Sequence, residues 1–328
     1  MTRLVVSADS SPQYYSFYLS GFEQLFGPLD LSFSVNDLPR LSGPRDGMAL
    51  VLPDGRKIFV AADDHPTVNE AALAWCDVYG QVNLEPAHQA LPGGHKLVAI
   101  GPGFGIRWHG LVHATHYVLG AWCAGGRNFA GPVARWRALM KHQRQRLLLS
   151  DYRPSSSDDH SLFFLASYWH KHPDANTARV ELWDAMRRVR DVELAGGFVG
   201  APADLPAVLR ADRQYSIHEY LDHTARSVVA LNTPAVHGCF GWKLAEFFAL
   251  GKAIVSLPLT HPMPGDFEPG VQAVIVVSAG EAVDVVDRLA ADATQRRQLE
   301  LNARRYFDEW LSPLAVAKRL ASEDLVSR

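Results

Sequence analysis

The sequence contains three cysteines, and their spacing matches neither a disulfide framework nor a metal site. Cys76, Cys123 and Cys239 lie far apart and form no CxxC pair, which excludes a disulfide framework and a zinc ribbon. No stretch approaches the ~18 consecutive apolar residues that a membrane-spanning helix requires. The N-terminus has only a short apolar run before polar residues, so no export signal is indicated. These absences predict a cytoplasmic protein.

The sequence also lacks an excess of charge of either sign. Its 32 Lys and Arg against 35 Asp and Glu give a formal net charge of −3 at pH 7, which argues against a general nucleic-acid binder. The chain has 328 residues, 48% of them hydrophobic, so it can bury a large core and is long enough for two domains. This balance is typical of a soluble enzyme.

Residues 228–258 carry the most informative pattern. Residues 228–231 predict a short buried strand, which ends at the turn formers Asn232, Pro234 and Gly238. An apolar, alanine-containing helix follows, and Gly251 is expected to end it in the left-handed conformation. Residues 253–257 then predict a second buried strand. The whole unit is a β-loop-α-β segment.

Two charged residues near the start of that helix suit a nucleotide diphosphate. Lys243 and Glu246 are three residues apart and therefore lie on neighbouring positions of one helical surface. The helix N-terminus and Lys243 offer positive charge to phosphate, and a carboxylate accepts hydrogen bonds from ribose hydroxyls. The alternative is a surface ion pair worth roughly 0.2–0.5 kcal/mol. The flanking strand, loop and strand favour the nucleotide site.

A second cationic loop follows the apolar strand predicted over residues 161–167. Lys171, Asn176 and Arg179 lie in this loop and the helix after it, at the carboxyl end of the strand. A fixed cation there would stabilise negative charge that grows on a leaving diphosphate. An ordinary surface arginine is the alternative. The residues expected to bind a nucleotide sugar are Lys171, Asn176, Arg179, Asn232, Thr233, Lys243 and Glu246.

Candidate bases follow the predicted strands of the first half of the chain. These strands cover residues 3–8, a hairpin formed by 48–52 and 57–61, and residues 96–100. A base that removes a proton from an acceptor hydroxyl must be a carboxylate or an imidazole within hydrogen-bond reach. The candidates are Asp9, Asp63, Asp64, His65 and His109.

Two other clusters in the first half have alternative interpretations. His109, His113 and His116 have a spacing that can hold a metal on one helical face, but no carboxylate completes the set, so no metal is expected. The basic residues within 135–146 alternate with apolar ones. This segment is either a solvated helix face, a peripheral contact with the inner face of a membrane, or a surface for a polyanionic acceptor.

Residues 231–258 resemble the donor-binding half of GT-B glycosyltransferases. The order of Asn232, Lys243, Leu244 and Glu246, with Arg179 upstream, is also similar to fucosyltransferase, exostosin-like and bacterial spore-coat and capsule glycosyltransferase-like proteins. The resemblance covers about residues 160–310. Many retaining members carry a Glu eight residues before the ribose-binding Glu, and Gly238 occupies that place here. The anomeric outcome therefore stays open.

The resemblance implies an α/β fold with two Rossmann-like domains facing across a cleft, as in GT-B enzymes. The expected segments are an acceptor-side domain (1–150), a linker (151–160), a donor domain (161–310) and a C-terminal helix (311–328) that crosses back to the first domain. The implied reaction moves a hexosyl or related sugar from a nucleotide diphosphate sugar to a carbohydrate or other hydroxyl acceptor, without a metal or cofactor. The alternatives are an epimerase and a non-catalytic nucleotide-sugar or glycan-binding protein.

Overall fold

Two β-sheets organise the chain, and each is the centre of its own α/β unit. The computed structural model describes residues 1–41, 46–108, 110–125 and 131–322. Unit 1 comprises Met1–Leu149, His261–Pro264 and the chain from Trp310 onward, and unit 2 comprises Ser150–Thr260 and Gly265–Glu309. The expected α/β class with two parallel-rich sheets is confirmed, and the domain boundaries expected from the sequence stay a prediction.

Unit 1 contains a six-stranded sheet in the order β2-β1-β3-β4-β5-β6. Its strands are β1 (Thr2–Ser7), β2 (Leu29–Ser34), β3 (Met48–Val51), β4 (Lys57–Ala61), β5 (Val78–Gln81) and β6 (Leu97–Ala99). Strand β3 is antiparallel to β1 and β4, and the remaining pairs are parallel. The predicted hairpin is confirmed as β3–β4, with Gly55 at φ 89° in its turn. Strands β2 and β5 were not expected from the sequence.

Four helices follow these strands in the first part of unit 1. They are α1 (Pro12–Phe26), α2 (Glu70–Trp75), α3 (Leu111–Cys123) and α4 (Pro132–Gln145). Helix α1 begins where the Ser11 hydroxyl accepts a hydrogen bond from the Gln13 N–H and Pro12 occupies the first position. Helix α2 is short, because Val78 already begins strand β5.

Unit 2 contains a five-stranded sheet in which all pairs are parallel. Its order is β11-β10-β9-β7-β8, built from β7 (Ser161–Ser167), β8 (Glu193–Val199), β9 (Ala230–Asn232), β10 (Ile254–Ser256) and β11 (Val274–Ile275). The helices are α5 (Pro173–Met186), α6 (Ile217–Arg226), α7 (Trp242–Ala249), α8 (Ala279–Ala291) and α9 (Ala293–Tyr306). The carboxyl ends of the strands therefore share one edge of the sheet.

The predicted β-loop-α-β segment is confirmed as β9, α7 and β10. Gly251 has φ 59°, which is the left-handed conformation expected after the helix. Residues 281–310 are mainly helical, and Asp292 separates α8 from α9. Its carboxylate accepts hydrogen bonds from the Thr294 and Gln295 N–H groups at 3.0 and 2.9 Å and thereby begins a new helix.

The last helix of the described chain, α10 (Pro313–Leu320), packs against α1 within unit 1. The two backbones approach closely at Gly21, where a larger side chain has no room. A Cβ atom at Gly21 would lie 2.1 Å from the Pro313 carbonyl oxygen and 3.2 Å from Ala317 Cβ. Among the described residues, no helix is long and apolar enough to cross a membrane.

Gly21→Ala tests this packing, because helix propensity and steric overlap change the free energy of unfolding in opposite directions. Helix propensity alone would make the substitution stabilising by roughly 0.5–1 kcal/mol. We expect it to destabilise the protein by about 1–3 kcal/mol instead, because the added methyl group overpacks the α1–α10 contact. Denaturant unfolding measures the difference.

The matched control is Gly280→Ala on α8. Gly280 is also helical, and the nearest atom to an added Cβ is Ser278 Oγ at 3.8 Å, so this variant should be stabilised or unchanged. Equal effects of the two substitutions would contradict the close approach at Gly21.

Candidate functional site

The carboxyl edge of the unit 2 sheet holds the loops after β7 and β9 and the first turns of α5 and α7. The residues before these two helices are His172 and Gly241, and neither caps its helix with a side-chain hydrogen bond. The backbone N–H groups of a helix start that has no side-chain cap can bind an anion. This edge is therefore suited to phosphate, and the charged side chains around it decide which ligand it fits.

Lys243 lies in the first turn of α7 and is joined to strand β7. Its ammonium donates a hydrogen bond to the Leu165 carbonyl oxygen and lies 5.3 Å from the centre of the Tyr220 ring. Burial of the ammonium lowers the pKa of Lys243 to about 8; Arg179 lowers it further, and Glu246 opposes the shift. Lys243 thus interacts electrostatically with both Arg179 and Glu246.

Glu246 is a buried carboxylate, with 4% of its surface exposed. Its Oε2 accepts a hydrogen bond of 2.9 Å from the hydroxyl of Tyr220 on α6. Burial and the neighbouring Glu246 charge raise the pKa of Tyr220 well above its usual value, so this hydroxyl keeps its proton and acts as the donor. The alternative of a solvent-exposed Lys–Glu pair is therefore wrong for this helix.

Arg179 is also buried, with 7% of its surface exposed, so the interpretation as a surface arginine is wrong. Its Nη1 donates to the Ser167 carbonyl oxygen at 3.1 Å, and its Nε donates to Thr233 Oγ1 at 3.3 Å. The guanidinium carbon lies 5.7 Å from the centre of the Trp169 ring. Burial lowers the pKa of Arg179 from its very high usual value. The loops after β7 and β9 are thus joined by one cation.

The two asparagines predicted from the sequence make structural hydrogen bonds, one to a loop backbone and one between neighbouring strands. Asn176 accepts from the Trp169 N–H and donates to the Trp169 carbonyl oxygen, both at 2.9 Å, which fixes the loop after β7. Asn232 ends β9 and donates to Ser256 Oγ of β10 at 2.8 Å. Lys171 is exposed, and the contacts of the described residues do not join it to the cluster. Its role stays a prediction.

The candidate bases of unit 1 lie at the carboxyl ends of β1 and β4. Asp9 is buried; desolvation raises its pKa, while Arg135 and Arg40 lower it. Desolvation raises the pKa of Asp63 to about 6, against the opposing effect of His65. Asp64 is partly buried and His65 is exposed. Burial therefore brings the pKa of the Asp63 carboxyl close to neutral pH.

His109 lies outside the described residues, so the structure places neither this candidate base nor the histidine triplet. His113 and His116 lie on α3. Among residues 1–41, 46–108, 110–125 and 131–322, no group of three or more His, Cys, Asp or Glu side chains could hold a metal ion.

Two features of the site were not recognised in the sequence. Tyr220 binds Glu246 across 26 residues, and no local pattern signals such a contact. His237, in the loop between β9 and α7, has φ 56°, an uncommon left-handed conformation for a residue other than glycine. The turn formers Pro234 and Gly238 predict only that a loop lies there.

The chain is similar to several solved structures at low sequence identity. Anabaena Alr3699/HepE in complex with UDP is 13% identical, with 94% of this chain and 89% of that chain covered and a TM-score of 0.38. S. aureus MnaA in a co-structure with UDP is 11% identical, with 99% and 75% covered and a TM-score of 0.40. A glycosyltransferase from Rickettsia africae ESF-5 is 12% identical, with 76% and 64% covered and a TM-score of 0.42.

No protein-family model and no curated protein matches the chain. Solved glycosyltransferases are among the structures that this chain resembles, as expected from the sequence. Identities and TM-scores this low transfer no activity from one protein to another. A function for this chain is therefore inferred from the contacts of its own residues.

Tyr220→Phe tests whether the Glu246 carboxylate depends on its buried donor. Removing the hydroxyl takes a hydrogen bond from a buried charged acceptor, so we expect a loss of about 1–3 kcal/mol in the free energy of unfolding. Denaturant titration followed by circular dichroism measures it.

Tyr215→Phe is the matched control. Its hydroxyl also donates to a carboxylate, Asp212 Oδ1 at 3.0 Å, but this pair is exposed to solvent. We expect that variant to stay within about 0.5 kcal/mol of the original protein. Equal losses in the two variants would show that burial of Glu246 adds nothing to the bond.

Proposed function

We propose that this chain is a glycosyltransferase that moves a sugar from a nucleotide diphosphate sugar to a hydroxyl acceptor. The observation that carries the proposal is the cluster of Lys243, Arg179 and Glu246 at the carboxyl edge of the unit 2 sheet. Ligands of open α/β sheets bind at this edge. Two cations and one carboxylate match the two chemical groups of a nucleoside diphosphate, its phosphates and its ribose.

The cations supply the chemistry that departure of the diphosphate requires. Negative charge grows on the leaving phosphate during glycosyl transfer, and fixed donors in a partly desolvated site stabilise it strongly. Lys243 and Arg179 are held by backbone carbonyl groups and a hydroxyl, which are neutral acceptors. They therefore retain positive charge for the diphosphate, with the first N–H groups of α7 as further donors.

Glu246 is the proposed ribose-binding residue. A carboxylate accepts charge-assisted hydrogen bonds from two neighbouring hydroxyls, and Tyr220 fixes its orientation through Oε2. Asn232 and Thr233, at the end of β9, are proposed to contact the donor sugar or phosphate. Thr233 already accepts from Arg179, so a ligand phosphate there would meet both side chains.

Asp63 is the proposed base for the acceptor hydroxyl. A general base works best when its pKa is near the working pH, and burial raises that of Asp63 to about 6. Asp9, Asp64, His65 and His109 remain further candidates. A non-catalytic nucleotide-sugar-binding protein is the second candidate function, because the donor cluster lies within unit 2 alone and needs no base.

The function is tested with uridine, guanosine and cytidine diphosphate sugars, following both the melting temperature and nucleotide release. We expect one nucleoside class to stabilise the protein, and Asp63→Asn to keep this stabilisation while losing transfer to an acceptor. Stabilisation without release in the unaltered protein would favour the binding protein. If no nucleotide raises the melting temperature, the donor site is wrongly assigned.

Glu246→Gln then isolates the ribose contact by calorimetry. The amide keeps the size of the side chain and an oxygen that accepts from Tyr220, but it loses the charge. Hydrogen bonds to charged groups contribute about 1.5–3 kcal/mol, so we expect roughly 10- to 100-fold weaker nucleotide binding. Glu181→Gln on the exposed face of α5 is the control and should bind as the original protein does.

Lys243 gives nucleotide binding a predicted dependence on pH. Because the pKa of Lys243 is about 8, its ammonium loses its proton between pH 7 and 9 and its attraction for the diphosphate falls. A terminal phosphate, with a second pKa of roughly 6, stays ionised over this range and adds no change of its own. Affinity should therefore decrease as the pH rises from 7 to 9.

The decrease in nucleotide affinity is caused by Lys243 only if Lys243→Met abolishes it. That variant should bind weakly at pH 7 and show a flat profile up to pH 9, whereas Lys318→Met at an exposed position of α10 should keep the decrease. The measurement is calorimetric titration of the nucleoside diphosphate at several pH values. A decrease that survives in Lys243→Met would assign the titration to another group.

A further inference from the structure

Helix α3 of unit 1 exposes an apolar face. Its inner side is buried and includes Tyr117 and Val118, and its outer side carries four large apolar residues beside the exposed His113 and His116. The exposed fractions are 58% for Leu111, 64% for Val112, 48% for Leu119 and 43% for Trp122. Val112 and Leu119 are seven residues apart and therefore share one stripe, with Trp122 beside it. Exposed apolar patches of this kind mark surfaces that bind another phase or molecule.

Helix α4, which packs on α3, carries a basic stripe. Arg137, Lys141 and Arg144 are all exposed, and their spacing of four and three residues puts them on one side of the helix. Leu139 and Met140 of α4 pack on Ala114 and Val118 of α3. The two helices therefore pack against each other, and each also carries exposed side chains.

A direct hydrogen bond fixes this arrangement. Trp136 Nε1 of α4 donates to Thr115 Oγ1 of α3 at 3.0 Å, at the margin of the exposed faces. At the start of α4, Val133 is a further apolar residue, 62% exposed. We call the exposed side chains of these two helices the α3/α4 surface. Its members are Leu111, Val112, Leu119, Trp122, Val133, Arg137, Lys141 and Arg144.

The sequence around this surface contains no acidic residue at all. From Pro86 to Ser150 there is no Asp or Glu, although the chain has 35 of them, while the same stretch has eight Lys and Arg. The net charge of −3 for the whole chain hides this local excess of positive charge. Because this region has no acidic side chain to oppose its positive charge, it attracts a negatively charged partner over about a Debye length, ~8–10 Å.

From these observations we propose that the α3/α4 surface binds an anionic lipid membrane. The basic stripe attracts acidic headgroups, and the apolar face of α3 enters the boundary between headgroups and acyl chains. A polyanionic polymer would use the basic stripe alone and leave the apolar side chains in water. The apolar area is what distinguishes a membrane from such a polymer, and it favours the membrane.

The test measures binding of the full chain to vesicles without any sugar nucleotide, so its result is independent of the proposed transfer reaction. Vesicles of phosphatidylglycerol and phosphatidylcholine should sediment the protein, whereas phosphatidylcholine alone should not. The fluorescence of Trp122, obtained as the difference from Trp122→Phe, should be quenched by brominated acyl chains. Absence of sedimentation with both vesicle types would overturn the proposal.

Two sets of variants separate the contributions. Replacing Arg137, Lys141 and Arg144 together with Gln should weaken binding roughly a hundredfold, since each basic residue near an anionic surface contributes about a factor of five. Leu119→Ser with Trp122→Ser should weaken it at least roughly tenfold through lost apolar contact. All five positions are exposed, so the melting temperature should stay nearly unchanged.

The matched control is Arg297→Gln with Leu301→Ser on α9, which changes an exposed cation and an exposed leucine in unit 2. This variant should bind vesicles as the original protein does. If the apolar variant binds as tightly as the control and a soluble polyanion displaces the vesicles, the surface recognises charge alone and the membrane proposal is wrong.

Discussion

The structure of unit 2 depends on how two cations are accommodated below the protein surface. Burying an ammonium or a guanidinium is costly unless hydrogen-bond acceptors replace the lost water. For both cations the acceptors lie at the end of β7. Lys243 donates to the carbonyl oxygen of Leu165, and Arg179 donates to that of Ser167. The end of strand β7 therefore joins α5 and α7, one helix through each cation.

The type of acceptor decides what charge remains for a ligand. Carbonyl and hydroxyl oxygens satisfy the N–H groups of the cations without neutralising them, and Glu246 is one carboxylate against two cations. The lowered pKa of Lys243 records the same desolvation that strengthens an interaction with an anion. A site built in this way is organised before the ligand arrives, so it does not have to reorient water during the reaction.

Local features of this site could be predicted from the sequence, and distant ones could not. The three-residue spacing of Lys243 and Glu246 and the left-handed Gly251 follow from short-range rules of helix geometry. The partners Tyr220 and Leu165 are 26 and 78 residues away from the groups they bind, and such contacts exist only once the sheet has formed. Outside the site, the apolar pattern of residues 281–310 does not signal the capping bond of Asp292 that separates α8 from α9.

The carboxyl edges of the two sheets have opposite chemical character. In unit 2, burial lowers the pKa of Lys243 to about 8, and in unit 1 burial raises that of Asp63 to about 6. Both shifts move a group toward neutral pH, where a modest change in environment alters its charge. In the proposed reaction, Lys243 would stabilise the departing phosphate and Asp63 would accept the proton of the incoming hydroxyl. Desolvation at the strand ends is the common physical cause of both pKa shifts.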